Sequence, residues 1–293
     1  MAQSGFDFSL LLQGPMMKHL SELGMRLRRI MLSLVIFIAI FFIFGPGYVH
    51  FKPVTITLPL FGSHTLSSFP VIVPSFLNSF SAIVVRYFIF NEVPHGLTII
   101  NVGAFDAIFS SLEVSVLFAI IFSMPVILTE LWKFVSPGLY FSERKQMRVF
   151  IIPALLLFIA GALFAYFIVV PVLLLVVKLY TDSLGILAYV SIRSFITIVI
   201  GFMVSFGISF ELPVVMITLT RFGFVEGKVW LENWRYGVMV SFIIALILSP
   251  GVTGGLIESI IGLTLSSLYM VGAVVCRRMS TAVEGTKSVQ TAS

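Results

Sequence analysis

The sequence is short of nearly everything a water-facing surface needs: only 11% of its residues are charged, 59% are hydrophobic, and mean hydropathy is +1.11. A soluble domain carries about 25% charged residues, so a water-soluble globular class is excluded and the chain reads as an integral membrane protein. Cysteine is nearly absent as well, and the lone Cys276 cannot form an internal disulfide. Four histidines, His19, His50, His64 and His95, stand without metal-ligand spacing, so neither a metal nor a cofactor is expected. No P-loop or other phosphate-binding signature is present, and no inverted repeat of the kind found in many secondary transporters stands out. Nothing at the N-terminus looks like a cleavable signal. The first apolar run begins near Ile30 and is expected to stay as an anchor.

What is there is a set of long apolar runs, at about Ile30 to Phe44, Ile108 to Leu131, Val149 to Val177, Phe195 to Leu219, Tyr236 to Leu248 and Leu256 to Cys276. A bilayer core about 30 Å thick needs about 20 apolar residues of helix. The runs predict an all-α, six-span protein forming a single polytopic domain over 1–293, with the last two helices short. A seventh candidate, 69-FPVIVPSFLNSFSAIVVRYFIF-90, carries Pro70, Pro74, Asn78 and Arg86 and is amphipathic. It reads as interfacial or re-entrant structure within a long outer segment at about 45–105.

Charge arbitrates the count. With six spans and both termini cytoplasmic, Lys18, Arg26, Arg28, Arg29, Lys133, Arg144, Lys145 and Arg148 lie inside. So do Arg221, Lys228, Arg235, Arg277, Arg278 and Lys287, which leaves only Lys52, Arg86, Lys178 and Arg193 outside. A seventh span would reverse every later loop and spoil this positive-inside bias. Segments 1–29 and 279–293 then form a cytoplasmic N-terminal stretch and a polar cytoplasmic tail. The net charge of +5 reports topology and attraction to anionic lipid, and nucleic acid is not an expected partner.

Four acids fall in or near the apolar runs. Glu113 and Glu258 sit toward outer helix ends and Glu130 near an inner end, where a carboxylate reaches water. Glu211 is different: in 205-SFGISFELPVVMIT-218 it lies eight residues, about 12 Å, from the inner end of its run. A charge at that depth costs several kcal/mol, so the group should be protonated, paired or turned to a watery cavity. A helical wheel places Thr197, Gly207 and Thr218 within about 40° of it, and Pro213 disrupts the hydrogen-bond ladder one turn back. These five residues are the expected intramembrane polar site. The bland reading is a neutral Glu bonded to a neighbouring helix.

On the cytoplasmic face, Glu22 in 19-HLSELGMRLRR-29 has Arg26 at i,i+4, a spacing that also makes an ordinary surface ion pair. Glu143 in 134-FVSPGLYFSERK-145 follows Ser142 and opposes the N-terminal dipole of the next helix, which capping alone explains.

Five fragments in order, 19-HLSEL-23 with Arg26, 131-LWKFVSPGLYFSER-144, 164-FAYFIVVP-171, 205-SFGISFELPV-214 and the short final pair around 249-SPG-251, make the chain similar to TatC, the C subunit of the twin-arginine protein translocase. The resemblance spans roughly Lys18 to Arg278, excluding the long outer segment. It implies a non-enzymatic receptor of the plasma membrane, with a concave groove facing the bilayer, that recognises folded export substrates by the paired arginines of their signal peptides. It further implies that small single-span subunits of the TatA and TatB type are recruited, that the subunit self-associates, and that the proton gradient drives transport. By the resemblance, Glu22 and Glu143 bind the arginines, with His19, Arg26, Phe134, Pro137, Leu139 and Tyr140 shaping the site, and Glu211 meets the signal or a partner subunit. Two guanidinium groups suit such carboxylates because each offers a planar fork of donors, which lysine lacks. The sequence departs from the family pattern at Gly24, where the first motif has a basic residue, and at Val252, where an aspartate is common. The competing class is a proton-coupled small-molecule transporter using Glu211 as carrier.

Overall fold

A computed structural model describes residues 15–58, 62–94, 96–135, 150–249 and 255–291. Four of its helical stretches, Asp106–Leu131, Ile151–Ser183, Ile192–Arg221 and Leu256–Ser280, are long and apolar enough to cross a membrane, and Trp234–Leu248 is a shorter apolar helix. The described residues fall into two compact units, one within 1–35, 121–162 and 205–293, the other within 36–120 and 163–204.

In chain order the elements are α1 (Pro15–Ile43), β1 (Phe44–Leu58), β2 (Gly62–Pro74), α2 (Phe80–Glu92), β3 (Leu97–Ile100) and α3 (Asp106–Val135). They continue with α4 (Ile151–Phe164), a π-helical turn (Ala165–Val169), α5 (Val170–Ser183), β4 (Ala188–Ser191) and α6 (Ile192–Phe210). The last are α7 (Leu212–Arg221), α8 (Gly227–Glu232), α9 (Trp234–Leu248) and α10 (Leu256–Thr291). The fold is thus mostly helical, and the all-α expectation is corrected in the segment after α1. There β1 and β2 pair antiparallel from Phe44↔Pro74 to Leu58↔Gly62. The register breaks between His50 and Val54, where Pro53 has no N–H to give to the ladder. Val54, Thr55, Ile56 and Thr57 are the β-branched, alternating residues that favour extended chain.

Within the second unit, α2 shows why 69–90 does not read as a span. It has only 13 residues, about 20 Å of helix, and begins at an N-cap, Ser79, whose hydroxyl accepts from the Ala82 N–H. Arg86 turns back to donate to the Leu77 carbonyl at 2.6 Å and the Asn78 side chain at 2.8 Å. Phe41 stacks on Phe118 with centroids 4.9 Å apart and meets Phe80 edge-on. A parallel pair, β3 with β4, joins Leu97–Ile100 to Ala188–Ser191. At the start of α3, Asp106 accepts from the Gly103 N–H at 2.7 Å and opposes the helix dipole.

Within the first unit the closing helices pack through small residues, as helices in lipid do. A Cβ on Gly237 of α9 would sit 2.3 Å from the Tyr269 ring of α10, and one on Gly161 of α4 would meet the Phe206 carbonyl oxygen of α6 at 2.5 Å. Tyr269 donates to the Trp230 carbonyl at 2.8 Å and Trp230 Nε1 to Thr220 at 3.0 Å, tying α7, α8 and α10 around the buried Met216, Ala273 and Cys276. Helix α10 continues past the apolar run to Thr291, so the polar tail from 279 is helical along most of its length. Hydroxyls in the apolar helices turn back to carbonyls four residues earlier, as Ser110, Ser115, Thr218 and Thr264 do. A dry environment demands such pairing.

Candidate functional site

Two features of the first unit gather the chemistry. The first lies between α1 and α3. On α1, Glu22, Arg26, Arg29 and Ser33 recur at helical spacing on one face; on α3, Ser123, Glu130 and Lys133 do the same. Ser33 and Ser123 hydrogen bond at 2.9 Å and fix the two faces against each other. Arg26 then forks: its Nη2 donates to Glu22, four residues earlier, and its Nη1 to Glu130 Oε2 at 3.4 Å. Lys133 Nζ holds Glu130 Oε1 at 2.7 Å, and Arg29 Nη1 stands 3.5 Å from Oε2.

Exposure ranks these groups. Glu130 is only 5% exposed, and the Arg26 side chain 15%, whereas Glu22 is at 35%, Lys133 at 51% and Arg29 at 64%. The expectation that Glu130 is an ordinary interfacial acid is therefore corrected. It is the buried end of a cluster of two carboxylates and three cations, and the ion pair expected of Glu22 and Arg26 is one arm of it. Of the other residues named for this face, His19 and Phe134 lie on α1 and α3 with side chains outside the described set. Glu143, Pro137, Leu139 and Tyr140 lie outside the described residues.

The second feature is a groove of about 960 Å³ bounded by α6 to α10. Its walls are largely aliphatic, including Val215, Val240, Ile244 and Leu265, and Glu211 opens into it. The helix breaks at this residue: Glu211 lies between α6 and α7, its N–H donates to the Ile208 carbonyl only three residues back, and Pro213 follows. Among the described residues the buried Oε1 of Glu211 has no hydrogen-bond partner. Four polar neighbours along the groove are already committed, since Ser209 donates to the Ser205 carbonyl, Ser241 to that of Gly237, Asn233 to that of Val229 and Tyr269 to that of Trp230. The groove thus offers a carboxyl oxygen with unspent hydrogen-bonding capacity among apolar walls.

The polar face expected around Glu211 is corrected in three places. Thr197 donates to both oxygens of Glu113, at 3.0 and 2.8 Å. Thr218 is fully buried and bonds the Val214 carbonyl of its own helix. Gly207 packs under the Phe158 ring, where a Cβ would approach to 2.7 Å. None of the three lines the groove, and Pro213 is buried beside Gly272. The break accounts for Thr218, which lies beyond it on α7, a second helix that a wheel at 100° per residue does not continue into. Thr197 and Gly207 precede the break on α6 and are taken up by Glu113 and by the Phe158 ring.

The model of the family described as Sec-independent protein translocase protein (TatC) matches residues 18–256. The Sec-independent protein translocase protein TatC of Cenarchaeum symbiosum is 31% identical over 206 residues, which is 70% of this chain and 78% of that one. The protein of the same description from Aquifex aeolicus is 32% identical over 156 residues, 53% of this chain and 65% of that one. Among solved structures, one described as the twin arginine translocase receptor TatC superposes with a TM-score of 0.66 at 24% identity, over 90% of this chain and 99% of the other. At that identity the match speaks for the fold.

Proposed function

This chain belongs to the TatC family of Sec-independent protein translocase proteins, and from that premise we propose that it is the receptor subunit of a twin-arginine translocase. It crosses the plasma membrane six times with both termini in the cytoplasm. It takes the paired arginines of an export signal at the cytoplasmic face through Glu22 and Glu143. It recruits small single-span subunits of the TatA and TatB type, Glu211 meeting them or the inserted signal in the groove, and folded cargo moves at the expense of the proton gradient.

The observation that best supports the receptor reading is the fork of Arg26 between Glu22 and Glu130. A resident guanidinium already satisfies two carboxylates there, so the face has the acceptor geometry that a ligand guanidinium requires. A lysine ammonium offers its donors from a single nitrogen and lacks the planar fork.

The test is site-specific photocrosslinking from position Leu23, 43% exposed beside Glu22, to an export precursor carrying Arg-Arg or Lys-Lys in its signal. The expected result is strong crosslinking with Arg-Arg, and its loss with Lys-Lys, with Glu22→Gln and with Glu143→Gln. Equal crosslinking across all four conditions would leave these acids as a surface pair and a helix cap.

A further inference from the structure

The cluster between α1 and α3 contains a competitor for its own ligand. Arg26 occupies Glu22, the more exposed carboxylate, so a guanidinium arriving at Glu22 must displace it. Where Arg26 goes then decides the cost of binding. Its side chain is 15% exposed and its Nε is buried without a partner among the described residues, so it has poor access to water. An unpaired cation in such a place is expensive. Among the described residues Glu130, already 3.4 Å from Nη1, is the acceptor within reach. The other two cations on Glu130 are exposed and can yield to solvent as Arg26 moves in.

We propose that Glu130 is a positioning residue for signal binding: it receives Arg26 when an incoming guanidinium takes Glu22, so that the exchange leaves no buried charge unpaired. The role rests on the reading that Glu22 binds signal arginines. Glu130 itself, 5% exposed, touches no ligand. Three consequences follow from the geometry. Loss of the Glu130 charge strands Arg26 on Glu22 and weakens binding. Loss of Arg26 removes the competitor and tightens it. Loss of both removes the need for a receiving group, so the two substitutions do not add.

The experiment measures fluorescence anisotropy of a labelled synthetic signal peptide, Arg-Arg or Lys-Lys, on the full chain in lipid nanodiscs. Glu130→Gln is expected to raise the Kd for the Arg-Arg peptide on the order of tenfold, and Arg26→Gln to lower it. The double variant Arg26→Gln with Glu130→Gln should return to within about twofold of Arg26→Gln alone. A control carries the same net charge: Glu130→Gln with Lys133→Gln should stay as weak as Glu130→Gln. Recovery in that control would mean that Glu130 acts through the local field and would overturn the exchange. So would a double variant as weak as Glu130→Gln, which would assign Glu130 a purely structural role, or an unchanged Kd in Glu130→Gln. If Glu22→Gln abolishes binding while Glu130→Gln does nothing, only the role of Glu130 falls. If Glu22→Gln binds as the unaltered chain does, the signal site itself is elsewhere and both fall.

Discussion

Glu211→Ala isolates the groove from the cytoplasmic cluster. The substitution removes a carboxyl whose Oε1 is buried without a partner among the described residues, in a groove where Ser209, Asn233, Ser241 and Tyr269 are already bonded to backbone carbonyls. The chain therefore loses no hydrogen bond of its own through that atom. What it loses is the one it could offer. In lipid a side-chain hydrogen bond between helices is worth about 1 kcal/mol, which converts to roughly a fivefold weaker Kd. Titrating a labelled single-span subunit into nanodiscs should show that weakening with Ala. Gln should give about twofold or less, because an amide keeps both donor and acceptor. Arginine-dependent signal binding, proposed above for Glu22 and Glu143, should change by less than twofold in either variant. If Gln were as damaging as Ala, and a proton leak measured in proteoliposomes without substrate vanished with both, Glu211 would be a proton carrier and the docking argument would be refuted.

Two further outcomes follow from packing and charge. Gly237→Ala places a methyl 2.3 Å from the Tyr269 ring and forces α9 from α10, so overpacking should cost about 1–3 kcal/mol, read as a lower melting temperature in detergent; an unchanged value would show that the ring moves freely. In a Cys276→Ser background, the basic-residue bias places Leu77→Cys, 77% exposed, within reach of an impermeant maleimide from outside the cell, and leaves Glu226→Cys, at a side chain 69% exposed, protected until the membrane is opened. The reverse pattern would invert the topology.

Much of the helical framework was legible because the constraint is coarse. A membrane span must be long and apolar, and Asp106–Leu131, Ile151–Ser183 and Leu256–Ser280 meet that demand in their composition alone. The segment after α1 was not legible in the same way. Its β-branched alternation is short, interrupted by Pro53, and lies among apolar residues that match no single period. Pairing of Val54 with Leu66 and Ile56 with His64 depends on a register that neither strand encodes by itself.

The site divides along the same line between local and nonlocal information. Glu22 with Arg26 is an i,i+4 pair that sequence spacing announces. The wheel around Glu211 fails at Thr218 because Pro213 and the break at Glu211 end one helix and begin another, and at Thr197 because Glu113, 84 residues away in sequence, takes its hydroxyl. Glu130 is the more instructive case. Read along α3 it is a carboxylate one turn from Lys133, near a helix end, with every reason to be solvated. Its partner Arg26 stands 104 residues away in sequence, and no spacing rule reaches that far. A signal was nonetheless present in two halves: Glu22, Arg26, Arg29 and Ser33 share a face of α1, and Ser123, Glu130 and Lys133 share one of α3. Each face alone is an ordinary charged stripe. Opposed, they carry three cations for two carboxylates, and the excess positive charge disfavours any further cation unless a resident one gives way. On the proposed reading of Glu22 as a guanidinium acceptor, the site is thus held closed by a guanidinium of its own, and the carboxylate least accessible to the ligand governs how readily that arginine lets go.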